Sequence, residues 1–274
     1  MSITLIGPAQ IPSMGFGTFQ LEQDTVADMV SAALAEGFRH IDTAQAYENE
    51  EQVGEGLGRA DARREDVFLT TKILPEHFAP EAFTSAAEAS LKRLGTDYVD
   101  LLLLHWPSKD VPIADTIGAL NDLIAAGKVR HGGVSNFTID MVNQAQAALN
   151  TPLAANQIEL HPLIDQTRMI AHLASKGIPV EAYSPLAQGK VMENTTLRDI
   201  AAAHDASPAQ VSLAWVLTRQ MSIALPRTGN TNRLASNLRA AEIVLSAEQI
   251  TQIDALGTAK GRLVSPETLA PKWD

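Results

Sequence analysis

Short apolar runs alternate with longer amphipathic segments along the whole chain, and this alternation restricts the fold more than any other feature. The run 101–104 consists of four leucines, which is typical of a strand buried on both faces in a parallel sheet covered by helices. Such runs recur at a spacing of very roughly 30 residues, as expected for βα units. We predict eight strands, at residues 14–17, 38–41, 67–71, 99–104, 130–134, 155–158, 180–182 and 223–225.

Eight βα units favour an α/β fold that closes into a (β/α)₈ TIM barrel, with an open doubly wound sheet as the alternative. Residues 3–13 carry Gly7-Pro8 between β-forming residues, which predicts an N-terminal β-hairpin that plugs the N-terminal end of the barrel. We also expect added helices, one of them at 246–256. No linker or low-complexity segment interrupts the pattern, so the sequence indicates a single domain over residues 1–274.

Capping residues predict where several helices begin and end. Asp24 or Thr25 is expected to cap the first helix, and Gly37 is expected to end it. Ser246 and Gln249 have the spacing of a capping box at the start of a late helix.

Three glycines at 54, 56 and 58 do not have the spacing of the dinucleotide-binding fingerprint. They also follow a helical pattern rather than a strand. We interpret this stretch as part of a helix, so it predicts no Rossmann-type site.

Composition limits the partners of the chain. The 32 acidic and 21 basic residues give a net charge of −11, whereas a nucleic-acid-binding surface needs a basic face. The absence of cysteine excludes disulfides and thiolate chemistry. The N-terminal residues lack the basic region and long apolar run of a signal peptide, and the run 101–104 is far too short to cross a bilayer. We therefore expect a cytoplasmic protein with no nucleic-acid partner and no membrane contact.

Polar side chains cluster where the predicted strands end. Each has an ordinary structural alternative, since an aspartate can cap a helix, a lysine can be solvated and a histidine can pack in a core. The carboxyl ends of barrel strands, however, converge on one face, where barrel enzymes build their active sites. Their joint occurrence therefore predicts one pocket, formed by Asp42, Lys72, His105, Ser135, Asn136, Gln157, Tyr183 and Arg227.

The segment from Gly37 to Glu50 is the most specific motif, because it contains Asp42-Thr-Ala followed by Tyr47-x-Asn-Glu. This segment resembles the signature of the aldo-keto reductase family. Further elements of that family match in the same order along nearly the whole chain, at residues 70–72, 100–107, 133–137, 156–159, 183–186 and 223–237. Residues 262–274 are similar to the tail of bacterial 2,5-diketo-D-gluconate reductases of the B type.

The resemblance implies NADPH-dependent reduction of aldehydes and ketones to alcohols. Tyr47 would be the general acid, and Lys72 would lower its pKa. Asp42 would hold Lys72 in place and keep it charged. His105 would donate a hydrogen bond to the substrate oxygen.

The resemblance also implies where NADPH and NADP⁺ bind. Ser135, Asn136 and Gln157 would bind the nicotinamide carboxamide, and Tyr183 would stack on the ring. Arginine suits the adenosine 2′-phosphate because its planar fork can form two parallel hydrogen bonds. The residues implied for the pyrophosphate, the 2′-phosphate and the adenine are Ser184, Leu186, Gln188, Arg227, Thr228, Asn230, Arg233 and Asn237.

The substrate pocket would be lined by Phe19, Leu74 and Trp106. Many family members carry tryptophan at the position of Leu74, so this wall is less aromatic here. The family implies small carbonyl substrates, such as 2,5-diketo-D-gluconate or methylglyoxal, and a monomer.

Two other functions remain open from the sequence. A non-catalytic NADPH sensor could use the same fold, although the complete set of four catalytic residues favours turnover. A metal-dependent barrel hydrolase is disfavoured because the seven histidines include no His-x-His and no other close-spaced ligand pair. We therefore expect no metal.

Overall fold

The computed structural model describes residues 4–274 and shows eight parallel strands in consecutive order, preceded by an antiparallel hairpin. Residue 3, where the predicted hairpin begins, lies outside the described residues. The hairpin strands are β1 (Leu5–Ile6) and β2 (Ile11–Pro12). The parallel strands are β3 (Phe16–Gly17), β4 (His40–Asp42), β5 (Phe68–Ile73), β6 (Val99–Leu104), β7 (Val129–Ser135), β8 (Asn156–Glu159), β9 (Val180–Tyr183) and β10 (Ser222–Ala224).

The first and last parallel strands meet and close the sheet. Met14, just before β3, forms a parallel bridge with Ala224 of β10. The amide of Gly15 donates to the Ala224 carbonyl at 2.9 Å, and the amide of Ala224 donates to the Ser13 carbonyl at 2.9 Å. The barrel prediction is therefore confirmed over the open doubly wound sheet.

All eight predicted strands are present, with boundaries that shift by at most two residues. The shift matters most at β5, which was expected to end before Lys72. The strand continues to Ile73, because the backbone of Lys72 still pairs with Leu103 of β6. Lys72 is thus held inside a regular strand instead of directly after it.

The hairpin closes the N-terminal end of the barrel, as expected. Leu5 pairs with Pro12, and Gly7 adopts a positive φ of 67° in the connecting turn. Ile11 is fully buried and packs in one cluster with Leu101 and Ile223, which belong to barrel strands.

Ten α-helices surround the described part of the barrel, two more than its eight units require. They are α1 (Gln23–Glu36), α2 (Glu50–Arg59), α3 (Pro80–Leu94), α4 (Ile113–Ala125), α5 (Ile139–Ala148), α6 (Thr167–Ser175), α7 (Thr195–Ala203), α8 (Pro208–Thr218), α9 (Leu234–Arg239) and α10 (Ala247–Asp254). Added helices are confirmed, since α7 precedes the crossover helix α8 and α10 follows the last unit. Among these residues, no helix is long and apolar enough to span a membrane.

Helix boundaries test the capping predictions. Ser246 and Gln249 form the expected capping box of α10, and Gly37 ends α1 with a φ of 110°. The prediction that Asp24 or Thr25 caps α1 is wrong, because the helix starts at Gln23. Thr25 lies inside the first turn, where its hydroxyl donates to the Glu22 carbonyl at 2.8 Å.

The three glycines at 54, 56 and 58 all lie within α2. A Cβ atom at Gly54 would lie 2.5 Å from the Leu94 carbonyl oxygen, and one at Gly56 would lie 2.7 Å from the Ala27 carbonyl oxygen. These glycines therefore let α2 pack closely against its neighbours. Gly58 has open space around the same position.

This difference predicts opposite effects of alanine within one helix. Gly58→Ala is expected to stabilise the protein by about 0.5–1 kcal/mol, since glycine is a poor helix former. Gly54→Ala is expected to destabilise it by about 1–3 kcal/mol through overpacking. Urea unfolding of both variants checks this, with Gly58→Ala as the control for helix propensity. Equal stabilisation by the two changes would contradict the close packing at Gly54.

Candidate active site

Lys72 is the centre of the polar cluster at the carboxyl ends of the strands. Its side chain is fully buried, and its Nζ donates to Asp42 Oδ1 at 2.6 Å, to the Thr43 carbonyl at 2.8 Å and to the Tyr47 hydroxyl at 3.1 Å. These three acceptors match the three protons of an ammonium group. Asp42 ends β4 and Lys72 lies in the adjacent strand β5, so barrel register brings the ion pair together.

Tyr47 lies in a single 3-10 turn, Gln45–Tyr47, between β4 and α2. Asn49 fixes this loop: its Oδ1 accepts from Thr43 Oγ1 at 2.9 Å, and its Nδ2 donates to the Thr18 carbonyl at 3.0 Å. The next residue, Glu50, is buried, and its carboxylate accepts from Thr71 Oγ1 at 2.6 Å. The sequence motif contained Asn49 and Glu50, but sequence reasoning gave them no role.

His105 follows β6 and is buried beside Tyr47, with the two ring centroids 5.8 Å apart and nearly perpendicular. Burial holds the pKa of His105 well below its usual value, and the positive charge of Lys72 lowers it further. The imidazole is therefore neutral at neutral pH, so one ring nitrogen donates and the other accepts.

The pKa values of the lysine and the tyrosine reflect competing effects. Burial raises the pKa of Tyr47, and Lys72 counteracts only part of that increase. Lys72 lowers the pKa of Tyr47, as expected, but burial has the larger effect and the pKa is raised overall. For Lys72, burial lowers the pKa, yet Asp42 and Tyr47 outweigh it and the pKa is raised. Both groups therefore keep their protons at neutral pH.

A second hydrogen-bond network adjoins the lysine cluster and contains the residues expected to bind nicotinamide. Tyr183 donates its hydroxyl proton to Asn136 Oδ1 at 2.8 Å, and Asn136 Nδ2 donates to Ser135 Oγ at 3.0 Å. Ser135 in turn donates to the backbone carbonyl of Gln157 at 3.0 Å, and Gln157 Nε2 donates to Asp42 Oδ2 at 2.8 Å. The two groups of predicted residues thus form one continuous network.

The loop after β9 has an unusual backbone. Ser184, Ala187 and Gln188 have positive φ values of 49°, 47° and 53°, and Gly189 has 93°. Left-handed conformations at non-glycine residues cost energy and cluster at functional sites. Gln188 is exposed, whereas Leu186 is partly buried against the core.

The loop after β10 carries two exposed arginines, Arg227 and Arg233. Arg227 Nε donates to the Phe19 carbonyl at 3.0 Å. Neither guanidinium takes part in any ion pair that the structure shows for residues 4–274. Thr228 Oγ1 instead holds the loop itself, accepting from the Asn230 amide at 3.0 Å.

The two asparagines expected to bind the adenosine 2′-phosphate and the adenine differ in exposure. Asn230 is exposed and caps the turn Thr231–Arg233, where its Oδ1 accepts from the Asn232 amide at 3.0 Å. Asn237 lies in α9 and is buried.

Phe19 packs against Tyr47, and two tryptophans pair with each other near the C-terminus. Phe19 is 52% exposed, and its ring centroid lies 4.9 Å from that of Tyr47. Trp106 is buried, and its centroid lies 6.2 Å from that of Trp273, near the C-terminus. Leu74 is partly buried just after β5. Sequence reasoning included Phe19, Leu74 and Trp106 but missed Trp273, although the tail containing it was noted.

The C-terminal tail is fixed to the barrel mouth by Glu159, at the end of β8. Its carboxylate accepts from the amides of Leu263 and Val264 at 2.8 and 3.0 Å. The guanidinium of Arg262 lies 3.6 Å from the centroid of Trp273. This anchoring places an aromatic residue from the chain end beside Trp106.

The donors and acceptors of this site fit a nicotinamide dinucleotide. Both amide protons of Gln157 are used by carboxyl groups, on Asp42 and on Glu181, which leaves its carbonyl oxygen for a further donor such as a carboxamide NH₂. Two exposed arginines without acidic partners suit a phosphate. Within residues 4–274, no three histidine or acidic side chains are grouped so as to hold a metal ion.

Comparison with known proteins identifies the family. The sequence model described as the aldo/keto reductase family matches residues 13–258. The chain is 41% identical over 267 residues to methylglyoxal reductase DkgB of Escherichia coli O157:H7, covering 96% of this chain and 99% of the relative. It is 38% identical over 256 residues to glyoxal reductase of Bacillus subtilis strain 168, covering 93% of this chain and 92% of that relative.

A solved structure agrees with these sequence relatives. The crystal structure of a protein provisionally assigned as 2,5-diketo-D-gluconic acid reductase B superposes with a TM-score of 0.97 at 41% identity, covering 100% of this chain and 98% of that one. Sequence and fold thus agree over nearly the full length. The chain therefore belongs to the aldo/keto reductase family of NAD(P)H-dependent oxidoreductases.

Proposed function

We propose that this protein is an NADPH-dependent reductase that converts small aldehydes and ketones to alcohols, with Tyr47 as general acid. The observation that carries this proposal is the contact of one buried ammonium group with both a carboxylate and a phenol: Lys72 Nζ lies 2.6 Å from Asp42 Oδ1 and 3.1 Å from the Tyr47 hydroxyl. A phenol beside a fixed positive charge can release a proton and remain stabilised as phenolate.

When bound, the reduced nicotinamide supplies the hydride that reduces the carbonyl carbon. The carbonyl oxygen then gains negative charge and takes the Tyr47 proton, so the tyrosine O–H bond breaks as the new O–H bond forms. Lys72 stabilises the resulting phenolate, and Asp42 keeps Lys72 charged and in place. The neutral His105 donates a hydrogen bond that orients the substrate oxygen beside Tyr47.

The neighbouring network would hold the nicotinamide. Ser135, Asn136 and Gln157 would bind the carboxamide and so fix which ring face meets the substrate. Tyr183 would stack on the ring, and the hydrogen bond from its hydroxyl to Asn136 Oδ1 at 2.8 Å would hold it in position.

The two loops beyond would bind the rest of the cofactor. The left-handed segment with Ser184, Leu186 and Gln188 would border the pyrophosphate. Arg227 and Arg233 would pair with the 2′-phosphate that distinguishes NADPH from NADH, since both guanidinium groups are exposed on one loop. Thr228 and Asn230 would also surround the 2′-phosphate, and Asn237 would contact the adenine.

The arginine loop predicts cofactor preference. Arg227→Ala and Arg233→Ala are each expected to lower kcat/KM for NADPH by about tenfold or more, because a charged hydrogen bond contributes about 1.5–3 kcal/mol. Neither change should lower kcat/KM for NADH. Arg168→Ala, an exposed arginine on α6, is the control and should change neither value. A wild-type preference for NADH would contradict the assignment of this loop.

Small dicarbonyl compounds are the proposed substrates. The relatives named methylglyoxal reductase and glyoxal reductase support this class, as does the structure assigned to diketogluconate reduction. Phe19, Leu74 and Trp106 would form the apolar wall of the pocket, together with Trp273. The test follows NADPH absorbance with methylglyoxal, glyoxal and 2,5-diketo-D-gluconate. NADPH binding without turnover of any aldehyde or ketone would contradict the proposal and favour a non-catalytic NADPH sensor.

A further inference from the structure

Glu181 is a fully buried acid that the proposed mechanism does not use. It lies in β9, two residues before Tyr183, and its backbone pairs with Gln157 on one side and Ile223 on the other. Its Oε2 accepts from Gln157 Nε2 at 2.9 Å, whereas its Oε1 has no hydrogen-bond partner and lies 3.8 Å from His40 Nε2. A charged carboxylate in this position would be costly.

Three titratable groups face Glu181, and of these the positive charge of Lys72 opposes the rise in its pKa. They are His40 and Asp42 from β4 and Lys72 from β5. Burial raises the pKa of Glu181 to about 8, and the negative charge of Asp42 contributes to the increase. Burial also lowers the pKa of His40 to about 4, so this histidine supplies no counter-charge. Glu181 is thus a carboxylic acid at neutral pH, and its carbonyl oxygen can accept one hydrogen bond from Gln157.

The Gln157 amide is held from two sides. One proton goes to Asp42 Oδ2 at 2.8 Å and the other to Glu181 Oε2 at 2.9 Å. Asp42 alone would leave the second N–H free and the amide plane able to tilt. With both acceptors in place the plane is fixed, and only the carbonyl oxygen Oε1 is left for a ligand.

We propose that Glu181 is a positioning residue that fixes the amide of Gln157 so that its Oε1 accepts from the carboxamide of the nicotinamide. This inference rests on the proposed function, in which Gln157 binds that carboxamide. Glu181 acts through Gln157 and does not itself touch the cofactor. Its effect on cofactor binding should therefore disappear when Gln157 is removed.

The experiment measures the Kd for NADP⁺ by calorimetry for variants of Glu181 in two backgrounds. Glu181→Gln keeps a neutral carbonyl at the same place, so its Kd should stay within about twofold of wild type. Glu181→Met removes the acceptor and should weaken binding by about tenfold, as expected for one lost hydrogen bond. In a Gln157→Leu background, the same Glu181→Met change should alter the Kd by less than about twofold, which marks two residues acting as one unit.

The outcomes separate this inference from the function on which it rests. If Glu181→Met weakens binding by the same factor in both backgrounds, its role is general packing and the inference is overturned. If Gln157→Leu weakens binding but Glu181→Met does not, the inference about Glu181 is overturned while the proposed cofactor role of Gln157 stands. An unchanged Kd in Gln157→Leu would instead remove the proposed cofactor role of Gln157.

A shorter acid covers the case in which Glu181→Met does not fold. Glu181→Asp retains the carboxyl group but withdraws it by about 1.5 Å, the length of one C–C bond, beyond reach of Nε2. It should weaken NADP⁺ binding in the wild-type background and not in Gln157→Leu. Wild-type affinity in Glu181→Asp would overturn the inference.

Discussion

Tyr47→Phe is expected to lower kcat for carbonyl reduction by about 10²–10⁴-fold, the usual contribution of a general acid. The change removes one oxygen, which is the proton source, and leaves the ring beside Phe19 and His105. The Kd for NADP⁺ should change by less than about twofold, because Tyr47 makes no bond within the network of Gln157, Ser135 and Asn136. Stopped-flow or steady-state assays with methylglyoxal check the rate, and calorimetry checks the binding.

Tyr98 offers the matched control for this experiment. It lies just before β6, at the amino ends of the strands, where the Arg64 and Arg130 guanidinium groups lie 4.1 and 3.9 Å from its ring centroid. Tyr98→Phe also removes one phenolic oxygen, but far from the lysine cluster, and should leave kcat unchanged. Full activity in Tyr47→Phe would refute Tyr47 as the acid.

The barrel and much of the candidate site could be predicted from the sequence because both depend on local patterns. A strand such as Val99–Leu104 is visible as an apolar run, and the residue that follows it, His105, necessarily reaches the barrel mouth. The same reasoning found Asp42 and Gln157. It ended the strand just before Lys72, however, because a buried lysine inside a strand is stabilised only by partners on other segments.

What the sequence could not show are contacts between distant segments. Tyr47 is oriented through Asn49, whose amide reaches the Thr18 carbonyl 31 positions earlier in the chain. Glu181 stands in a strand with the sequence Val-Glu-Ala-Tyr, a pattern equally typical of an acid that faces solvent. Trp273 lies beside Trp106 in a tail that is anchored on Glu159. Each of these depends on closure of the barrel or on the path of the chain end.

Lys72→Met is expected to affect both stability and activity, by separable mechanisms. Removing the ammonium leaves the Asp42 carboxylate buried without its counter-ion, which should cost about 3–5 kcal/mol of unfolding free energy. It also removes the charge that stabilises the Tyr47 phenolate, so kcat should fall by at least about 10²-fold. Urea unfolding and steady-state kinetics measure the two effects.

The double variant Asp42→Asn/Lys72→Met separates them. Replacing both members of a buried ion pair is often close to neutral, so most of the lost stability should return, to within about 1 kcal/mol of wild type. After Asp42→Asn, the amide oxygen of the new side chain can still accept from Gln157, which preserves the link to the second network. Activity should not return, because no positive charge then lies beside the tyrosine. Each of the other outcomes would contradict one part of this account. If the double variant is stable and active, the charge of Lys72 is unnecessary for the reaction. If it is as unstable as Lys72→Met, the unpaired carboxylate is not the cause of the lost stability. Recovery of stability without activity would show that the ion pair supports the fold through charge balance and the reaction through the ammonium group alone.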